Sequence, residues 1–79
     1  MLNLKEAYEI AKEYKLKNQK LAMVAVTENG WAFAFAVKGI PGGIFREVNK
    51  YDSTVTNSDI FTMLKLPQIS AEEMQMLQA

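Results

Sequence analysis

Nine carboxylates and nine lysine or arginine side chains are the only strongly charged groups in this 79-residue chain, and it has neither histidine nor cysteine. Those two absences bound its chemistry. Without histidine, a serine nucleophile would need a lysine or a carboxylate as its base. The commonest ligand for a transition metal is missing as well. Without cysteine there is no thiolate, no disulfide and no thiolate zinc site, which fits a reducing compartment. Glu28, Glu47, Asp52 and Asp59 are the acids from which a glycosidase pair would have to be drawn. Such a pair needs a deep cleft that a chain of this size can hardly build. Asp52, Thr54, Thr56 and Asp59 have oxygen ligands at suggestive spacing, yet the glycine and closing glutamate of a calcium loop are lacking. Gly39-Ile40-Pro41-Gly42-Gly43 is glycine-rich but leads into a strand pattern instead of a helix N-terminus, so it reads as a turn and not as a phosphate cradle. The expectation is a protein that is not an enzyme and carries no cofactor or metal.

The charge balance narrows the partners. A formal net charge of zero provides no long-range field to attract nucleic acid or anionic lipid. Trp31, Phe33 and Phe35 alternate as the stacking residues of a nucleic-acid-binding sheet do, but without basic excess they read as core. The longest apolar run, Trp31 to Val37, is far short of the roughly 20 residues of a membrane helix. Met1 to Glu6 lead into a helix and show no basic segment followed by an apolar stretch, so no signal peptide is expected. A cytoplasmic protein with a protein partner, or itself as partner in a homo-oligomer, is the reading that remains.

The elements that would position a binding surface follow from periodicity. Asn3 with Glu6 forms a variant capping box ahead of the spacing Leu4, Ala7, Tyr8, Ala11, which predicts a helix over about 4–16. Leu21 to Thr27 and Trp31 to Val37 flank Asn29-Gly30, predicting a β-hairpin with a two-residue turn that needs positive φ at both positions. Counting from that turn sets Val26 opposite Phe33, Val24 opposite Phe35 and Ala22 opposite Val37. Ile44 to Tyr51 reads as a third strand, polar enough for a sheet edge, and Thr54 to Thr56 as a short fourth. Asn57 or Ser58 offers a cap to a short helix that ends before Pro67. Ser70 with Glu73 forms a capping box for a last helix from about residue 71, with Ile69 and Met74 as its hydrophobic staple. Residues 1–79 thus read as a single α+β domain: an antiparallel sheet of three to four strands, an N-terminal helix on one face and two short C-terminal helices.

One hairpin face is aromatic and suits the first helix, whose Ala7 and Ala11 leave room for large rings. The other carries Leu21, Met23, Ala25 and Thr27 against Ala32, Ala34, Ala36 and Lys38. It is apolar and flat. The carboxy-terminal helices either cover it or leave it as an interface, and in the second case Met23, Ala25, Ala34 and Ala36 are the protein-binding residues. Trp31, next to the turn, joins them as a candidate.

The helix of Leu4 to Tyr14, the segment Asn29-Gly30-Trp31-Ala32-Phe33 and the later Val48-Asn49-Lys50-Tyr51-Asp52-Ser53-Thr54-Val55 together resemble the immunity protein 35 (YrhB-like) family of small bacterial proteins. The likeness covers about the first two thirds of the chain. Asn49 stands where that family has an acid, no glycine closes the turn near Ser53, and the carboxy-terminal helices are additional. The resemblance implies a cytosolic antitoxin-like protein that binds and blocks a toxin. Small size, a one-domain architecture and the lack of catalytic groups make a phage or mobile-element inhibitor of a bacterial defence enzyme the close runner-up. The small-residue sheet face offers a reading from another class, a structural homo-oligomer subunit built through that face.

Overall fold

The computed structural model describes all 79 residues. It begins with α1 (Leu4–Ala11), continued by a 3-10 turn at Lys12–Tyr14. Four strands follow, β1 (Lys20–Thr27), β2 (Gly30–Ala36), β3 (Ile44–Asn49) and β4 (Val55–Asn57), and then α2 (Ile60–Leu64) and α3 (Ala71–Gln78). The strands form one antiparallel meander in the order β1-β2-β3-β4. This is the expected α+β layout with four strands, so the edge opposite β1 is β4, and the polar β3 lies inside the sheet.

All three helices start where their caps direct. Asn3 Oδ1 accepts the Glu6 N–H at 2.8 Å while Glu6 Oε1 accepts the Asn3 N–H at 2.9 Å. Ser70 and Glu73 repeat this exchange at α3. At α2 the cap is Asp59, not Asn57 or Ser58; its carboxylate accepts the Thr62 N–H at 2.8 Å and the Thr62 hydroxyl at 3.0 Å.

The hairpin is present, but its turn lies one residue earlier than expected. Gly30 is already in β2, paired with Thr27, and the turn residues are Glu28 and Asn29. Neither has positive φ, a conformation that among non-glycine residues only Ser53 adopts. Glycine is required at position 30 for another reason. A Cβ there would collide with the Val48 carbonyl oxygen and press on the Lys50 N–H nitrogen, where β3 runs alongside. Pairing is therefore Val26 with Trp31 and Val24 with Phe33, a slip of two residues from the expected register, which keeps each side chain on its expected face. A bulge between Leu21 and Met23 then moves Leu21 across to pair with Phe35 on the aromatic side.

Two cores result. On the aromatic face, Leu4, Ala7, Tyr8 and Ala11 of α1 pack with Leu21, Val24, Phe33, Phe35 and Val48, and Leu77 of α3 closes the group. The Tyr8 ring lies 6.0 Å from that of Phe33 and 6.3 Å from that of Phe35, in tilted and stacked orientations. On the other face, Ala25, Ala32 and Ala34 pack beneath Met63 of α2, with Met23, Phe45 and Leu66 around them. The chain after α2 then returns along the free edge of β1. Val26 N–H donates to Pro67 O at 2.7 Å, and Ile69 N–H donates to Val24 O at 3.1 Å. Two backbone groups of an otherwise open edge are thereby satisfied.

Candidate interaction surfaces

The flat alanine face is not a surface. Ala25 is fully buried and Ala34 is 3% exposed, both beneath Met63, so neither is available to a second protein. Met23 is half-buried against the same cluster. Ala36 is half-buried at the end of β2. Trp31 belongs to the opposite face, where it packs half-buried against the aromatic core. Of the five expected contact residues, Met23, Ala25 and Ala34 are thus brought together, but under α2, while Ala36 and Trp31 are not part of that cluster. What covers Ala25 and Ala34 is a helix of the same chain.

The candidate chemical residues occupy ordinary structural roles. Asp52 Oδ1 accepts the Thr54 N–H at 3.0 Å and the Thr54 hydroxyl at 2.7 Å, closing the β3–β4 turn. Those bonds hold its carboxyl below the usual pKa. Asp59 is lowered in the same way by its bonds to Thr62. Glu28 sits in the hairpin turn and Glu47 in β3. No three acidic side chains converge to hold a metal ion. Gly39 and Gly42 adopt positive φ in the β2–β3 connection, which is the turn reading of that segment. No helix is long and apolar enough to cross a membrane.

Large apolar side chains are exposed at several other positions, Tyr51 and Met76 among them, and pairs of them stand out in two places that sequence patterning does not single out. The first is the outer side of α2. Met63 points into the sheet, while Phe61 and Leu64, three residues apart and therefore neighbours on the helix surface, are 75% and 65% exposed. The available signal was the composition Ile60-Phe61-Thr62-Met63-Leu64. Four apolar residues in five make a stripe too broad to be buried against one sheet face, so some of those groups stay in water.

The second place is the end of the sheet where the α1–β1 connection meets the β2–β3 connection. Leu16 and Ile40 are each 62% exposed there. Leu16 is held outward by a closed turn: its N–H donates to Gln19 Oε1 at 2.8 Å, and the Gln19 N–H donates to Leu16 O at 3.0 Å. Gln19 is the one buried polar residue of the chain. Nearby, the Arg46 guanidinium stands 5.6 Å from the Tyr14 ring centroid. Comparison with protein-family models, curated proteins and solved structures gives no match for this chain.

Proposed function

We propose that this chain is a non-catalytic protein-binding module of the immunity or inhibitor type, acting by steric occlusion of a partner protein's working surface. The observation that supports this reading is the exposed pair Phe61 and Leu64 on a helix whose buried side already does its structural work. Leaving a phenylalanine and a leucine side by side in water gains nothing for folding. Covering them with a partner removes that apolar surface from water at roughly 25 cal/mol per Å². The turn that presents them is fixed by the Asp59 cap, so little conformational freedom remains to be lost on binding.

The double variant Phe61→Asp/Leu64→Asp tests the reading. Both side chains are exposed, so the variant keeps the far-ultraviolet circular dichroism of the parent. In capture from host lysate, the parent retains a partner that the variant does not, and the parent alone inhibits the captured protein. Identical capture by both would overturn the reading. A parent dimer that falls to a monomer in the variant by light scattering would replace it with self-association.

A further inference from the structure

Three concave regions meet at one end of the sheet, and Asn18 lines all of them. One, of about 530 Å³, runs between Leu16 and Ile40 over Pro41 and the glycines that follow. The second is bordered by Lys15, Lys17 and Lys20, and the third by Lys20 and Lys38. The two segments that build this end, residues 14–21 and 37–44, contain these four lysines and no acid. None of the four has a carboxylate partner, because the single salt bridge of the molecule joins Lys12 to Glu9. Lys17 lines the region between Leu16 and Ile40 itself, and the other three lysines line the two regions that share Asn18 with it. In a chain of zero net charge, this end thus carries unpaired positive charge beside two exposed aliphatic side chains.

We propose that this end is a docking groove for an acidic segment of a partner protein, with an apolar side chain of that segment seated between Leu16 and Ile40. The proposal rests on the protein-binding reading above and names the chemistry of the partner. Complementary charge accounts for the lysines, since a carboxylate-bearing segment pairs with cations that have no internal partner. Concavity accounts for a chain segment in preference to a bilayer, which presents a broad surface to an amphipathic face. The anchors are aliphatic, whereas single-stranded nucleic acid is held by aromatic stacking. The closed turn at Leu16 to Gln19 presents one of them in a fixed position.

The test uses a fluorescent peptide of alternating glutamate and leucine, its lysine–leucine counterpart, a single-stranded DNA oligonucleotide, and phosphatidylcholine vesicles containing phosphatidylserine. The intact chain binds the acidic peptide, more weakly as salt is raised, and binds the lysine peptide no better than background. Lys17→Glu/Lys38→Glu weakens acidic-peptide binding about tenfold or more, the effect expected of two reversed charges at a docking site. Leu16→Ser and Ile40→Ser weaken it with an unchanged salt dependence, and both retain the parental circular dichroism. Phe61→Asp/Leu64→Asp leaves it unchanged. Equal binding of both peptides, tighter binding of DNA or vesicles, or no effect of Lys17→Glu/Lys38→Glu would overturn the proposal. If lysate capture survives Lys17→Glu/Lys38→Glu but is lost in Phe61→Asp/Leu64→Asp, the groove proposal fails alone. If the peptide results hold and the parent captures no partner, the occlusion reading fails alone.

Discussion

Substituting Ala34 by glutamate asks most directly whether α2 closes the alanine face. Ala34 pairs with Met23 on one side and Phe45 on the other, and Met63 lies over it. Ala34 is almost fully buried, and the cluster around it contains no basic group for the new side chain to meet. Two costs follow. Forcing the extra atoms between sheet and helix takes about 1–3 kcal/mol of overpacking strain. The carboxyl must also be buried, and it enters protonated, since a buried glutamate reaches a pKa of roughly 8–9 against about 4.3 in the unfolded chain. Holding that proton at neutral pH costs about 3.7 kcal/mol, at roughly 1.36 kcal/mol per pH unit above the unfolded value. The combined loss of about 5–7 kcal/mol compares with a total stability of about 4–12 kcal/mol for a chain of 79 residues. Ala34→Glu is therefore unfolded or nearly so at neutral pH, and it recovers part of its stability as the pH is lowered toward about 4.5, where the unfolded state no longer gains by ionising. Urea titrations followed by circular dichroism at both pH values measure this. A neutral-pH midpoint equal to the parent's would refute the argument, because it would require the face to be open to solvent.

Two further outcomes follow from the structure. Gly30→Asn and Gly30→Ala destabilise alike, by about 1–3 kcal/mol, because any Cβ meets the Val48 carbonyl; a left-handed turn position would instead tolerate asparagine, so an Asn variant clearly more stable than the Ala variant in urea would restore the turn explanation. Asp59 and Asp52 have pKa values lowered in the folded state, so their contribution is present above the unfolded value of about 3.9 and is lost as the pH falls through the lower folded values. Thermal melts of Asp59→Asn decline less steeply than the parent's across that acid range, and parallel declines would contradict the capping role.

What was legible in the sequence was whatever is settled within a few residues. The Asn3–Glu6 and Ser70–Glu73 boxes, the hairpin, and the pairing of a small-residue helix with an aromatic strand face are local patterns, and each is found. The misplaced turn shows the opposite case. Asn29-Gly30 carries the strongest local signal for a two-residue turn, yet the glycine answers to β3, which is about twenty positions away in the chain. The bulge at Ala22, which carries Leu21 to the aromatic side, has no marker such as glycine. For the candidate surface the missing information was the direction of α2. Ile60, Phe61, Met63 and Leu64 are all apolar, and only the docked helix distinguishes Met63, fully buried, from the two residues left in water.

The segment from Asp59 to Ile69 explains why the exposed apolar side chains lie at the periphery. An alanine-rich sheet face lets a helix approach closely, and the single long side chain of Met63 fills the space above Ala25, Ala32 and Ala34. Lys65 ends the helix, and Pro67 to Ile69 then bond to Val24 and Val26 along the edge of β1. A few residues further, the Gln78 side chain donates to Leu21 O at 3.4 Å, close to the bulge. One short stretch thus covers Ala25, Ala32 and Ala34 on the sheet face and occupies the β1 edge at Val24 and Val26. A five-residue helix cannot also hide its own outer side, and the loops at the far end of the sheet lie beyond its reach. Phe61 and Leu64 on α2 and Leu16 and Ile40 on the loops therefore stay in water, as do Tyr51 after β3 and Met76 on α3, and substitutions at these exposed positions leave both cores intact.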